Sequence, residues 1–178
     1  MLAKQIWRLH TNPDSLITRC YKAKYFPFID VLQAPIGANP SYTWRSLHSS
    51  IPIILQGSCW RIGNGEKVNI WRDNWLPLQN KFKLLTPAPP QPTISHVKDL
   101  LDRDNLTWNK ATLDNNFYLI DKLQIEQLPL VNIHKDDELM WMYESNGHYM
   151  VKSGYRAIQS WKSHNPDQPT TSDDSTKI

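Results

Sequence analysis

Seven cationic side chains stand out by type and spacing: Arg19, Lys22 and Lys24, then Arg45, then Arg61, Lys67 and Arg72. Aromatic residues are interleaved with them at Tyr25, Phe26, Trp71 and Trp75. Lysine and arginine neutralise phosphates, and aromatic rings stack on unpaired bases, so the pattern raises contact with RNA or DNA. The same residues also fit a plainer arrangement, a solvated cationic face beside an aromatic core. Residues 1–83 hold 11 Lys and Arg against 4 Asp and Glu, and residues 84–178 hold 9 against 13, for a net charge of +3 overall. The surplus in the first part points modestly to a polyanion.

Catalytic chemistry finds less to work with. His48 has Ser46, Ser49 and Ser50 near it in sequence, but no Gly-x-Ser-x-Gly elbow presents a nucleophile. Gly63-Asn64-Gly65-Glu66-Lys67 lacks the spacing of a phosphate loop. Asp136-Asp137 is an adjacent carboxylate pair and reads as a solvated loop. Cys20 and Cys59 are too few for a disulfide framework, and the six histidines are scattered singly, so no metal site and no cofactor are expected. No catalytic residue is nominated, and no small-molecule substrate is implied.

The elements that must position these side chains are short. The chain has 178 residues, 40% of them hydrophobic, with 13 prolines and 8 tryptophans, which predicts several small clusters rather than one deep core. There is no apolar run long enough for a membrane span and no apolar signal core at the start, so neither a membrane partner nor secretion is expected; a nuclear or cytoplasmic setting is left open. The expected fold class is α+β, with short helices packed around two β-hairpins, a Pro-rich joint and a disordered C-terminal tail. The first hairpin pairs Cys59–Ile62 with Lys67–Trp71 across Gly63-Asn64-Gly65, with Pro77 closing the element. The second pairs Glu138–Tyr143 with Tyr149–Lys152 across Asn146-Gly147.

Helices are predicted at Ala3–Leu9, and after Asp14 or Ser15 with Leu16, Cys20 and Ala23 on the buried face. A third opens at Pro40-Ser41 with the stripe Trp44, Leu47, Ile51 and Leu55, and Pro52 inside it is expected to kink the helix or divide it at Ser49–Ser50. Further short helices are expected around His96–Leu101, after Trp108-Asn109, at Asp121–Gln127, and after Ser153 with Tyr155, Ile158 and Trp161 inward. Pro87, Pro89, Pro90 and Pro92 mark a joint, so the expected organisation is 1–83, a linker at 84–95, 96–162, and a disordered tail at 163–178. Trp44, Trp60, Trp71, Trp75, Trp141 and Tyr155 are the expected structural aromatics.

Several ordered motifs carry a resemblance. Asn12-Pro13-Asp14-Ser15-Leu16, Lys22-Ala23-Lys24-Tyr25-Phe26-Pro27, Asn39-Pro40-Ser41-Tyr42 with Trp44-Arg45-Ser46-Leu47, and Gly57 with Trp60 through Gly65 come first. Val68-Asn69-Ile70-Trp71, Asp73 and Trp75-Leu76-Pro77 follow, then Asp137, Trp141, Asn146-Gly147, Tyr149 and Val151-Lys152-Ser153-Gly154-Tyr155. In this order they resemble plant non-LTR (LINE-type) retrotransposon polyproteins over about residues 1 to 161. The matching stretch follows the reverse transcriptase core and runs into the start of the reverse-transcriptase zinc-binding domain. The resemblance implies a Cys/His zinc cluster after the last motif, but residues up to Ile178 hold none, so no zinc ligand is carried over.

The function expected from this is a non-catalytic fragment of such a polyprotein, linking polymerase and zinc-binding regions and contacting nucleic acid. Its partners would be RNA or DNA and the other parts of the polyprotein. A stand-alone nucleic-acid-binding module and an inert protein-interaction remnant with exposed tryptophans are the alternatives.

Overall fold

The computed structural model describes residues 2–76, 84–130 and 133–164. These residues form an α+β fold with short helices and two small antiparallel sheets of two strands each. Three of the α-helices begin where a side-chain oxygen takes up a free N–H of the first turn. α1 (Leu2–Thr11) buries Ala3, Ile6, Trp7 and Leu9. α2 (Leu16–Tyr25) starts at Ser15, whose Oγ accepts from the Thr18 N–H at 3.2 Å. α3 (Tyr42–His48) starts at Ser41, whose Oγ accepts from the Trp44 N–H at 3.2 Å. The expected division falls at Ser49–Ser50, and Pro52 sits in the first turn of α4 (Ile51–Gly57), where its missing N–H is not needed. The break shifts the phase of the stripe, so Ile54 is buried and Leu55 is 44% exposed.

The face of α2 is a correction. Leu16, Ile17, Cys20 and Ala23 point outward, and Thr18, Tyr21 and Tyr25 face inward. Both stripes are spaced for a helix, and Trp44 decides between them. Its ring lies 5.9 Å from Tyr21 and 4.6 Å from Tyr25, the latter pair within 8° of parallel. Flat ring contacts of this kind bury more area than leucine and alanine would, while the phenol oxygens stay at the edge.

Both expected hairpins are replaced by other pairings. β1 (Ser58–Arg61) does not pair with Lys67–Trp71. Its partner is β4 (Glu138–Trp141), with Cys59 opposite Met140 and Arg61 opposite Glu138. Residues 68–70 instead run beside Ser95–Val97: Val97 N–H donates to Val68 O at 3.0 Å and Ile70 N–H to Ser95 O at 2.9 Å. The Asn146-Gly147 turn does form, with Gly147 at φ +72° and the Trp141 N–H donating to Gly147 O at 2.7 Å. Its return arm is not a strand, because Val151 already begins α7 (Val151–His164). Ser153 is therefore inside that helix rather than capping it, where its Oγ accepts from the Trp141 indole N–H at 3.1 Å. Tyr155 lies outward at 64% exposed, and Ala157 takes the buried place. The second sheet is a small hairpin of β2 (Leu101–Asp102) and β3 (Thr107–Trp108), followed by α5 (Lys110–Asn116), capped by Asn109, and α6 (Leu119–Gln127).

Two apolar clusters form, each drawing on early and late residues. Ile6, Trp7, Trp44 and Ile54 pack with Leu139, Trp141 and Tyr149. Val68, Ile70, Trp75 and Leu76 pack with Val97, Leu100, Leu113 and Ile125. Trp60 touches both. Within the Pro-rich stretch, Leu85 and Thr86 are pinned to α6: their N–H groups donate to the fully buried Asp121 carboxylate at 3.0 and 2.6 Å. Of the expected disordered tail, Ser163 and His164 belong to α7, and 165–178 lie outside the described residues, as does Pro77.

The cysteines separate cleanly. Cys20, expected inside, is exposed; Cys59 is buried, and burial pushes its thiol up to about 12. Only the thiolate reacts, so at about pH 8 the folded chain is expected to show one fast thiol toward dithiobis-nitrobenzoate and two after unfolding. Two fast thiols in the folded chain would contradict this packing.

Candidate nucleic-acid interface

The seven cations divide into two groups. Arg61 pairs with Glu138, its opposite number across the sheet, Lys67 with Asp136 at 2.6 Å, and Arg72 with Asp73 at 3.2 Å. Their charge is answered locally. Arg19, Lys22 and Lys24 on α2 and Arg45 on α3 are exposed and make no ion pair among the described residues. Residues 16–48 contain a single acid, Asp30. That carboxylate is taken up by His10 Nδ1 at 2.9 Å and the Leu32 N–H at 2.8 Å.

Tyr25 joins the two helices that carry the free cations. Its hydroxyl donates to Ser41 Oγ at 2.9 Å and accepts from the Ser41 N–H at 3.2 Å. The bond to Ser41 Oγ is the main reason its phenol is held below the usual value. One face of its ring lies on Trp44, and the Lys24 ammonium sits 5.2 Å from its centroid. The stacking candidates otherwise fall away. Phe26 and Trp75 are buried, and Trp71 lies on Phe117 at 5.4 Å while its indole N–H donates to Ile94 O. Two aromatics not singled out from the sequence are open instead: Phe28, 95% exposed, and Tyr42, 86% exposed. The available signal was position, since Phe28 follows the proline that ends α2 and Tyr42 is the first residue after a helix cap.

The expected structural aromatics Trp44, Trp75 and Trp141 are fully or almost fully buried, and Trp60 and Trp71 are half-buried. None of the eight tryptophans is exposed, which removes the basis for a remnant with exposed tryptophans.

The Asp136-Asp137 pair is half a correction. Asp136 is exposed, and the Lys67 ammonium holds its carboxyl below the usual range. Asp137 is buried and accepts from the N–H groups of Gly63, Gly65 and Lys67 at 2.8, 2.9 and 2.9 Å. The Gly-Asn-Gly-Glu-Lys loop wraps a carboxylate from the far part of the chain, a nest of backbone donors filled by the protein itself.

Two curated proteins of Arabidopsis thaliana are similar to this chain. An uncharacterised mitochondrial protein is 32% identical over 90 residues, which is 51% of this chain and 54% of that protein. A putative ribonuclease H protein is 26% identical over 167 residues, which is 89% of this chain and 26% of that protein. The chain thus spans about half the length of one relative and about a quarter of the other. No family model and no solved structure matches.

A groove of about 500 Å3 opens on the outer side of the β1–β4 sheet, walled by Trp60, Trp75, Met140 and Met142 with Arg61 and Glu138 at its edge. Cys59 in its wall stays a thiol at neutral pH. His48 is turned toward Ala34 O, at 2.8 Å, and lies edge-on to Trp44. The hydroxyls of Ser49 and Ser50 donate to Ser46 O and Leu47 O, so neither is activated by this histidine. No group of three His, Cys, Asp or Glu able to hold a metal ion occurs among the described residues.

Proposed function

We propose that this chain is a retroelement-derived segment that links a polymerase to a zinc-binding region and contacts nucleic acid through α2 and α3. The order of motifs and the two Arabidopsis relatives support the origin. One observation carries the nucleic-acid contact: Arg19, Lys22, Lys24 and Arg45 are exposed on α2 and α3 and make no ion pair among the described residues, whereas Arg61, Lys67 and Arg72 are matched to acids. Apolar side chains left open on α2 (Leu16, Ile17) and on α6 (Leu119, Ile120, Leu123) suit a segment flanked by other protein parts.

The test is binding of a labelled 20-nucleotide strand to the full chain, followed by fluorescence anisotropy. Neutralising about four phosphates on a single strand gives a log–log salt slope near −3, so affinity should fall about 50-fold between 50 and 200 mM salt. Lys22→Glu with Lys24→Glu and Arg45→Glu should abolish most binding, and Arg61→Glu should leave it within about twofold, because that side chain is already paired. Affinity indifferent to salt would reject the phosphate mechanism.

A further inference from the structure

We infer that the α2–α3 surface takes a single-stranded polynucleotide, with its bases stacked on Phe28 and Tyr42; this rests on the nucleic-acid reading above. Both rings are almost wholly in water, at 95% and 86% exposure, although the same part of the chain packs Tyr21, Tyr25, Phe26 and Trp44 together. Aromatic rings this large are normally among the most profitable groups to cover, so two left open beside a packed aromatic cluster ask for a ligand with a flat apolar face.

Their place among the cations gives that ligand its chemistry. Tyr25 fixes the end of α2 to Ser41, the residue before Tyr42. Arg45 lies one turn further along α3, its N–H donating to Ser41 O at 2.9 Å. Lys24 bends over Tyr25, and Phe28 follows Tyr25 by three residues. The Tyr25–Ser41 bonds thus join the stretch that carries Lys24 and Phe28 to the one that carries Tyr42 and Arg45, with Lys22 and Arg19 further along α2. The joint is stiff, because Tyr25 is held by Trp44 on one ring face and by Ser41 at its hydroxyl. Cations for phosphates beside rings for bases are the combination used on single strands. A duplex keeps its bases stacked inside and would use the cations alone. This separates single strands from duplexes without any base-specific hydrogen bond.

The experiment compares a 20-nucleotide single strand, as RNA and as DNA, with the duplex of the same sequence, all at 100 mM salt and on the full chain. Phe28→Ala and Tyr42→Ala should each weaken single-strand binding about tenfold, as loss of one stacked base does, and leave duplex binding unchanged. Tyr42→Phe keeps the ring and should keep the affinity. Both positions are exposed, so an unchanged urea midpoint for each variant shows that folding is not the cause. Equal binding of strand and duplex, or alanine variants within twofold of the parent, would overturn the stacking inference while salt-dependent binding still supported the parent reading. Absence of salt-dependent binding to either nucleic acid overturns both. Binding only to vesicles of anionic phospholipid, included as a third arm, would also overturn both and assign the surface to a membrane.

Discussion

Asp137→Ala is expected to lower folding stability by about 4 kcal/mol, most of what a small domain holds in reserve. The side chain is buried, and three N–H groups from one loop end on its two oxygens. Removing the carboxylate leaves those donors without an acceptor, at about 1–3 kcal/mol each before the loop relaxes and admits water. Asp137→Asn should lose about half as much, since one oxygen remains while an amide NH2 meets another donor. Asp136→Asn is the control: its carboxylate is exposed beside Lys67, and the urea midpoint should stay in place. The prediction has a local signature as well. Hydrogen exchange at Gly63, Gly65 and Lys67 should speed up in Asp137→Asn before exchange in α1 does. An Asp137→Ala chain that unfolds at the wild-type urea concentration would mean that the nest contributes nothing.

What the sequence revealed of this fold depended on how far each cause reaches. Caps act over three residues, so Ser15, Ser41 and Asn109 were readable as helix starts, and Pro52 dividing α3 from α4 is a matter of one missing N–H. Strand pairing was not readable in this way. The alternation around Trp60 fixes which side chains share a face but accepts any antiparallel partner, and the real one stands 77 residues away at Glu138. The nearest arm, Lys67–Trp71, was the cheaper expectation in chain entropy, but it is held elsewhere by Ser95–Val97 and by Asp137. A buried acid is equally hidden, because Asp136 and Asp137 differ by one place in the sequence and by everything in their surroundings. For the candidate interface the basic residues were legible as a set, but which of them keep their charge free depended on acids that the fold brings in from afar. The exposed rings of Phe28 and Tyr42 were missed because exposure at a turn or a helix start has no periodicity to read.

The motifs that carry the retroelement resemblance mostly sit at joints rather than around a reactive centre. Gly57 leaves room for the Trp141 ring, to which an added Cβ would come within 2.2 Å, and Gly154 does the same for the Tyr149 hydroxyl at 2.1 Å. Asp73 accepts from the Asn69 N–H at 2.8 Å, and Ser153 receives the Trp141 indole. Asp137 and the Gly63–Gly65 loop form another long-range joint. Such a pattern is what a segment that must hold a shape would carry.

Gly65→Ala tests one such joint and should lose about 3 kcal/mol or more. Two effects add there. Gly65 has φ +71°, which by itself disfavours an L side chain by about 1–2 kcal/mol. A Cβ would also stand 2.4 Å from the Lys98 nitrogen, whose N–H donates to Gly65 O at 3.0 Å, so the methyl drives apart the contact that the same residue makes. Gly37 separates the two effects, since its φ is +79° and an added Cβ meets nothing within 4 Å. Gly37→Ala should therefore lose only the conformational part, about 1 kcal/mol. Asparagine tolerates the left-handed region better than alanine, so Gly37→Asn should be close to neutral while Gly65→Asn remains strongly destabilising. Equal losses at the two glycines would show that backbone conformation alone sets the requirement, and that the close approach of the Gly65 loop to Lys98 is not what holds the early and late parts of the chain together.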